Sequence, residues 1–325
     1  MTESEKNKVK KILVIQIKQL GDCILTEPVF RALKKKWNDS RTSFLVSSSF
    51  SSLFENNPYI DEIIGYNFKK PFSAVASIRR RKFDVVFDFL GNPRSRILTL
   101  LSGAFIKAGF KKKLSGFFYN VNAERAPSDE YAVDTKFRLL SSCGIEDEPG
   151  IAKIYLTDEE KKLFSRFSDY IAISPVSRRP ARRWRKDYFA RLADSLIGNC
   201  GKKVVFLWGP GEREYMDEII SMMKGKALLA PPTTPREIAL LLRRCRLLVT
   251  NCNGMKHIAV ACGTPTITIH GPTHWKSWHP PDERHKVIYA DVPCLFCGRR
   301  KCDDMRCMRE LKPETVEKKI VEMLK

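Results

Sequence analysis

No stretch of this 325-residue chain stays apolar long enough to cross a bilayer as a helix, so a helical membrane protein is not expected. The apolar run nearest the N-terminus, residues 12–17, is interrupted by Gln16 and followed at once by Lys18. It is too short for the core of a secretory signal. A cytoplasmic location follows as the expectation, at most with the chain resting on a membrane surface. No internal repeat is visible, so a repeat architecture is not indicated. Acidic residues are scarce, with 37 Asp and Glu against 58 Lys and Arg, leaving a formal net charge of +21. An excess of that sign favours an anionic partner, whether nucleic acid, an acidic membrane face or a phosphorylated substrate, without choosing among them.

What is present points to a globular enzyme-sized chain. The length can hold two ordinary domains, and 43% hydrophobic residues is a folded rather than a disordered composition. Basic runs fall at residues 6–11, 34–36, 79–82, 111–113, 178–186 and 299–301. Each taken singly is more often a solvated face than a binding site. Ten cysteines in a cytosolic chain argue for thiols or metal ligands rather than a disulfide framework.

Strand and helix patterns alternate along the first half. Strands are expected at 12–17, 44–46, 60–66 and 83–90, helices at 28–37, before 82 and at 97–101, and a loop at 18–22. Residues 116–127 read as irregular, 131–143 as helix and 158–167 as a connecting helix. The alternation then restarts with strands at 170–174, 203–208, 247–250 and 266–269 and helices at 188–196, 213–223, 235–243 and 255–262. Strands separated by helices imply parallel sheets covered on both faces. The expected fold class is α/β, with two Rossmann-like domains facing each other across a cleft, residues 1–165 and 166–325. A final amphipathic helix is expected over 313–325.

The most informative stretch runs from 250 to 273, Thr-Asn-Cys-Asn-Gly-Met-Lys-His and onward to Gly-Pro-Thr. A buried strand, a small polar turn and a helix N-terminus make an anion site, because free N–H groups and the positive dipole end converge there. In an open α/β sheet that point lies at the strand's carboxyl end, where ligands bind. Alone, the same residues could merely cap a helix. The order Thr-Asn-x-x-Gly-x-x-His-x-Ala-x-Ala-x-Gly-x-Pro resembles the donor-binding signature of glycosyltransferase family 9, the lipopolysaccharide heptosyltransferases. Residues 12–33, 88–95, 182–184 and 207–214 also resemble the family's segments, in the family's order.

The resemblance implies a GT-B architecture, with an acceptor-binding N-terminal domain and a nucleotide-sugar-binding C-terminal domain. It implies an inverting, metal-independent transfer of heptose from an ADP-sugar donor to a lipopolysaccharide core acceptor, with no cofactor for catalysis. Asp22 matches the catalytic base that takes the acceptor hydroxyl proton. Arg182 stands where the family has a phosphate-holding lysine, and Asn253 and Gly254 offer backbone N–H groups to the diphosphate. Glu212 is the candidate for the ribose hydroxyls, with Glu214 close behind. His257 is expected to pack or to orient phosphate. Arg94 and Arg96 are candidates for an acceptor carboxylate or phosphate, with plain surface solvation as the competing explanation. Two departures bear on donor identity: Cys252 replaces an acid, and Met255-Lys256 replaces a Pro-Met pair.

The tail carries Cys294, Cys297, Cys302 and Cys307, four cysteines within fourteen residues that can fold around one tetrahedral structural Zn²⁺. Zinc, an iron–sulfur cluster and free thiols remain open. Charge and these cysteines alone would also suit a nucleic-acid-binding protein. The motif order argues instead for an anionic membrane surface as the partner of the basic exterior, with no nucleic acid expected. A weakened family member, or one using another nucleotide sugar, is the remaining alternative.

Overall fold

The computed structural model describes residues 9–125, 127 and 129–325, with Pro71 by its backbone only. The basic run that starts at residue 6 therefore begins outside the described residues. The chain divides into two compact units, Met1–Tyr155 and Leu156–Lys325. That division falls ten residues before the boundary expected from sequence. The helix Asp158–Lys162 goes with the second unit because Glu160 grips Arg236 through two bonds, at 2.6 and 2.8 Å. The Arg236 guanidinium, against some desolvation, pulls the Glu160 carboxyl down to about 2.

In the first unit the strands are β1 (Lys11–Ile15), β2 (Arg41–Ser47), β3 (Glu62–Tyr66), β4 (Val85–Asp88), β5 (Ile106–Phe110) and β6 (Val121–Ala123). They form one parallel sheet in the order β3-β2-β1-β4-β5-β6. Helices α1 (Leu20–Ile24), α2 (Glu27–Lys36), α3 (Pro71–Arg81), α4 (Pro93–Leu101) and α5 (Ala132–Ser141) connect and cover it. Ile12 to Ile15 are wholly buried, as a central parallel strand covered on both faces requires. Pro28 sits in the first turn of α2, where its missing N–H costs nothing. Asn92 and Ser95 cap α4 reciprocally.

The second unit contains β7 (Tyr170–Ser174), α6 (Lys186–Gly198), β8 (Lys203–Phe206), α7 (Arg213–Ser221), β9 (Leu228–Leu229), α8 (Pro235–Arg244), β10 (Leu247–Asn251), α9 (Gly254–Cys262), β11 (Thr266–Ile269), β12 (His285–Ile288) and α10 (Pro313–Leu324). Its parallel sheet has the order β12-β11-β10-β7-β8-β9. Counted from the first strand of each unit, both sheets run third, second, first, fourth, fifth, sixth. The architecture is thus repeated where the sequence is not. Each sheet reverses its winding once, between β1 and β4 and between β7 and β10, and ligands bind at such switch points, off the carboxyl ends of the strands.

Alternation along β10 and β11 sends Leu247, Val249, Ile267 and Ile269 into a core with Trp184, Phe189 and Phe206. The opposite face carries Thr250, Thr266 and Thr268, all fully buried, on the side where α9 packs.

Several elements differ from the sequence reading. β5, Ile-Lys-Ala-Gly-Phe, has too little alternation or β-branching to register, and β6 lies inside the stretch read as irregular. β9 and β12 are also additional strands. The expected helix 158–167 breaks after Lys162, where Phe164 takes φ of +56° and a short 3-10 turn follows. Asp22 lies in the first turn of α1 rather than in a loop.

Candidate active site

Beyond β10 the chain turns through Cys252 and Asn253 into α9. The Asn253 Oδ1 accepts from the Met255 and Lys256 N–H groups at 3.0 and 3.3 Å and from Thr250 Oγ1 at 3.1 Å. Its Nδ2 donates to the Val176 carbonyl at 2.7 Å and to Ser174 Oγ at 3.2 Å. This side chain is fully engaged in joining two strand ends across the switch point. What it leaves for a ligand is the Gly254 N–H, which has no partner among the described residues, and the positive end of α9.

Arg182 closes the single 3-10 turn Pro180–Arg182. Its place is fixed by Trp184, which is fully buried, donates its backbone N–H to Asn251 Oδ1 at 3.1 Å and its Nε1 to the Leu311 carbonyl at 2.8 Å. Arg182 Nη1 lies 4.0 Å from Cys252 Sγ, beside the start of α9. Burial lowers the guanidinium pKa, Cys252 opposes this, and Arg179 and Arg178 add to the lowering. A guanidinium remains charged under such pressure. Arg185 pairs with Asp187, and Arg183 donates to the Ser177 carbonyl. Among the described residues no ion pair involves Arg178, Arg179 or Arg182. The turn therefore carries uncompensated positive charge at a helix N-terminus, the electrostatic requirement of a diphosphate.

Glu212 lies in the loop after β8, at the same end of the sheet. Its Oε2 accepts from the Gly209 N–H at 2.8 Å while its own N–H donates to the Gly209 carbonyl at 3.0 Å, so the carboxylate closes its own loop. Glu214 is in the first turn of α7. His257 is buried edge-on to Trp278, with ring centres 5.9 Å apart. Burial, with Lys256 adding to it, pushes the imidazole down to about 3. Burial thus disfavours its charged form.

In the first unit Asp22 is half-buried in the first turn of α1, where the helix dipole favours a carboxylate. The Cys23 thiol donates to the Gln16 carbonyl at 3.0 Å, folding the preceding loop onto this turn. Lys136 of α5 is a participant that sequence reading missed. Its ammonium donates to Gln16 Oε1 at 3.4 Å and sits over the Phe89 ring at 5.1 Å. Burial pulls it down to about 8 against the opposing pull of Asp22 and Cys23. The signal was in the sequence: Val133, Lys136, Phe137 and Leu140 form one stripe at helical spacing, and a lysine in an apolar stripe calls for a partner.

Asp88, at the end of β4, is a second carboxylate at this switch point, but it is fully engaged. It accepts from the Leu90 and Gly91 N–H groups at 3.0 and 2.9 Å and from Tyr119 Oη at 2.6 Å, and burial raises its pKa. Gly91 follows at φ of +59°, a conformation that suits glycine. Arg94 is exposed and stacks on Phe68 and Tyr66 at 5.4 and 5.8 Å. Arg96 donates to the Lys113 carbonyl at 3.1 Å and lies over Phe118, while Lys112 reaches the Gly91 carbonyl at 3.2 Å. Solvation and local stacking thus account for part of what Arg94 and Arg96 do.

Cys294 and Cys297 are exposed, Cys302 is half-buried and Cys307 is buried. Burial, then the other three thiols, push the Cys307 thiol up to about 11. The four are near enough to sense one another, yet among the described residues no three His, Cys, Asp or Glu side chains converge as a ligand set. No helix among the described residues is long and apolar enough to cross a membrane.

Two parallel sheets of this order, one to a unit, define the GT-B class, and solved structures with the same fold cover nearly the whole chain. A family 9 glycosyltransferase from Veillonella parvula matches with a TM-score of 0.84 at 23% identity, covering 97% of each chain. The Escherichia coli heptosyltransferase WaaC, solved with ADP-2-deoxy-2-fluoro heptose, matches at 0.76 and 18% identity, covering 96% of this chain and 99% of that one. In sequence, lipooligosaccharide heptosyltransferase 2 of Campylobacter jejuni is 23% identical over 313 residues, 93% of this chain and 95% of its own. The model of glycosyltransferase family 9 (heptosyltransferase) matches residues 72–307. The chain belongs to that family and is a glycosyltransferase. Asp22 lies ahead of the matched stretch, whereas Arg182, Glu212, Asn253, Gly254 and His257 lie within it.

Proposed function

We propose that this enzyme transfers a heptose from ADP-heptose to an inner-core sugar of lipopolysaccharide, with inversion at the anomeric carbon. Asp22 takes the proton of the acceptor hydroxyl as its oxygen bonds to that carbon, and the bond to the ADP phosphate oxygen breaks on the opposite face. The leaving diphosphate is held by Arg182, by the Gly254 N–H and by the positive end of α9. What supports this most directly is Arg182, a cation without a carboxylate partner, fixed through Trp184 at the helix terminus off β10. The named substrates of the C. jejuni and E. coli relatives suggest the sugar and the nucleotide. Glu212 is the proposed ribose partner once its carboxylate releases Gly209. Arg94 and Arg96 are the proposed contacts to acidic groups of the acceptor.

The catalytic step is proposed to need no metal. The tail cysteines are assigned a structural zinc at most, and their present arrangement is not that of a ligand set. The enzyme is proposed to work at the cytoplasmic face of the membrane, adsorbed on anionic lipid. Exposed Phe72 follows Lys69 and Lys70 in sequence, and exposed Leu114 and Phe117 follow Lys113, a mixture of apolar and basic groups that an anionic interface takes up.

The deciding experiment incubates the protein with ADP-heptose, ADP-glucose and other nucleotide sugars plus a truncated core acceptor, reading ADP release. Turnover of ADP-heptose that requires acceptor, and that falls at least about a hundredfold in Asp22→Asn, is expected. An Asp22→Asn enzyme as active as the parent would overturn the assignment of the base.

A further inference from the structure

Lys256 is the third residue of α9, a nine-residue helix, and its side chain is fully buried. Its Nζ has no hydrogen-bond partner among the described residues. Buried lysines are almost always paired, so this one requires an explanation. Side chains on a helix lean toward its N-terminus, which carries the ammonium of a third residue back past the start of α9. It arrives beside Cys252, which opposes the effect of burial on it.

That is the wrong end of a helix for a cation, because the dipole there is already positive. A second cation, Arg182, approaches the same Cys252 sulfur. No ion pair among the described residues involves either cation, and only the Cys252 sulfur opposes the lowering of both. The groups facing Lys256 are Cys252 at the turn, Arg182 from the loop after β7, His257 on α9 itself, and His270, His279 and His285 from the segment after β11 and from β12. Burial holds His257 near 3 and His279 and His285 near 4, with His270 well below its ordinary value, so none is charged at neutral pH. Of the two carboxylates between β11 and β12, Asp282 is taken by Arg284 at 2.6 Å and Glu283 is exposed.

Sequence deepens the point. Relative to the family pattern this chain loses an acid at Cys252 and gains a base at Lys256, both changes making one spot more positive. Two cations and a helix N-terminus directed at one point suit an anion with charge spread over several oxygens.

We propose that Lys256 is a further diphosphate-holding residue of this enzyme, its ammonium joining Arg182 and the amino end of α9 around the nucleoside diphosphate that leaves the donor. The inference rests on the nucleotide-sugar reading of the second unit and adds a contact that the family pattern does not supply. Burial pulls the free ammonium down to about 8, against Cys252. A bound diphosphate stabilises the charged form, so affinity is full below pH 8 and declines as pH rises above it. The neutral histidines do not titrate in that window.

The test is calorimetric titration of the full chain with inorganic pyrophosphate, ADP and adenosine between pH 6.5 and 9.5, for the parent, Lys256→Met, Cys252→Ser and Arg182→Ala. Lys256→Met is expected to weaken pyrophosphate and ADP roughly tenfold or more, to leave adenosine unchanged, and to abolish the decline above pH 8. Cys252→Ser is expected to keep that decline, which assigns it to the amine rather than the thiol. Should Lys256→Met fail to fold, Lys256→Gln and the pH dependence of the Cys252→Ser protein carry the same comparison. A Lys256→Met protein that binds pyrophosphate as the parent does, with the same pH dependence, overturns the role of Lys256. If Arg182→Ala alone weakens ADP, the nucleotide-sugar reading stands without Lys256. If the parent binds neither pyrophosphate nor ADP, both fall.

Discussion

Asn253 donates to the Val176 carbonyl at 2.7 Å while accepting from the Met255 N–H at 3.0 Å, so one amide joins the exit of β7 to the start of α9. Removing it strips the helix of its cap and leaves the Val176 carbonyl and Ser174 Oγ short of a donor, while Thr250 keeps the Ser174 and Asn251 carbonyls. Each loss costs about 1 kcal/mol. Asn253→Ala is expected to destabilise the second unit by about 2–3 kcal/mol, and Asn253→Ser, which keeps a capping oxygen, by about 1 kcal/mol. Tryptophan fluorescence during urea unfolding is the measurement. Trp184, Trp208, Trp275 and Trp278 all lie in the second unit and only Trp37 in the first, so the signal follows mainly the unit concerned. An unchanged midpoint in Asn253→Ala would mean that the turn holds without its amide.

Lys136 offers a way to alter the base without touching it. A buried ammonium favours the ionised form of a neighbouring carboxylate, and Asp22 in turn raises Lys136. Lys136→Met therefore removes support for the Asp22 carboxylate. The acid limb of the pH profile of kcat/KM should move toward higher pH, with KM for the ADP-sugar little changed. Stability moves too. The folded lysine sits at about 8 against its ordinary 10.5, so burying its ammonium penalises the parent below pH 8, and that penalty fades as pH rises from 8 toward 10.5. Lys136→Met should accordingly gain most over the parent below pH 8. An acid limb that stays in place while stability changes would reduce Lys136 to a packing residue.

These two residues also mark how far the sequence could be read. Periodicity located β7 and β11 to the residue, because Tyr-Ile-Ala-Ile-Ser and Thr-Ile-Thr-Ile are short apolar or alternating runs bounded by turn residues. Gly263 and Pro265 ended α9 where expected. β5 and β12 were illegible because Lys107 and Gly109, or His285 and Lys286, interrupt their runs, and only pairing with β4 or β11 makes them strands. The turn at Asn253 was legible from its residue types. Its second role, tying down Val176, was not, because the partner lies 77 residues away. The engagement of Glu212 by Gly209 and the burial of Lys256 are likewise tertiary facts. A lysine inside an otherwise apolar helix announces that something is unusual without saying what lies opposite.

Membrane adsorption can be separated into its charge and apolar parts. Lys69, Lys70 and Lys113 supply attraction that salt screens within about 8 Å at physiological ionic strength, whereas Lys111 is paired with Glu124. Phe72 and Phe117, exposed at 84% and 71%, supply apolar surface that salt does not screen. Binding to phosphatidylglycerol-containing vesicles in a flotation assay should fall steeply between 50 mM and 500 mM salt. Phe117→Asp should weaken binding at every salt concentration while leaving ADP affinity intact. Vesicle binding indifferent to salt would contradict the use assigned to the net charge of +21.

The tail cysteines give a prediction that discriminates between thiols and a metal site. Cys294 and Cys297 are exposed, whereas Cys143, Cys245 and Cys262 are buried and burial pushes each up to about 12. Only thiolates react with a disulfide reagent, so the native protein at pH 8 should show two fast thiols, slower half-buried Cys200 and Cys302, and the buried remainder only after unfolding. Cys307 falls in the buried remainder, since burial and its three neighbours hold it near 11. Zinc, if taken up, binds thiolates and would have to overcome that elevation by drawing all four sulfurs together. Added zinc should then protect Cys294, Cys297, Cys302 and Cys307 together, release protons and raise the unfolding midpoint, with no effect on turnover. Fast, unprotected labelling of Cys294 and Cys297 in the presence of equimolar zinc would leave these residues as free thiols and remove the structural metal from the account.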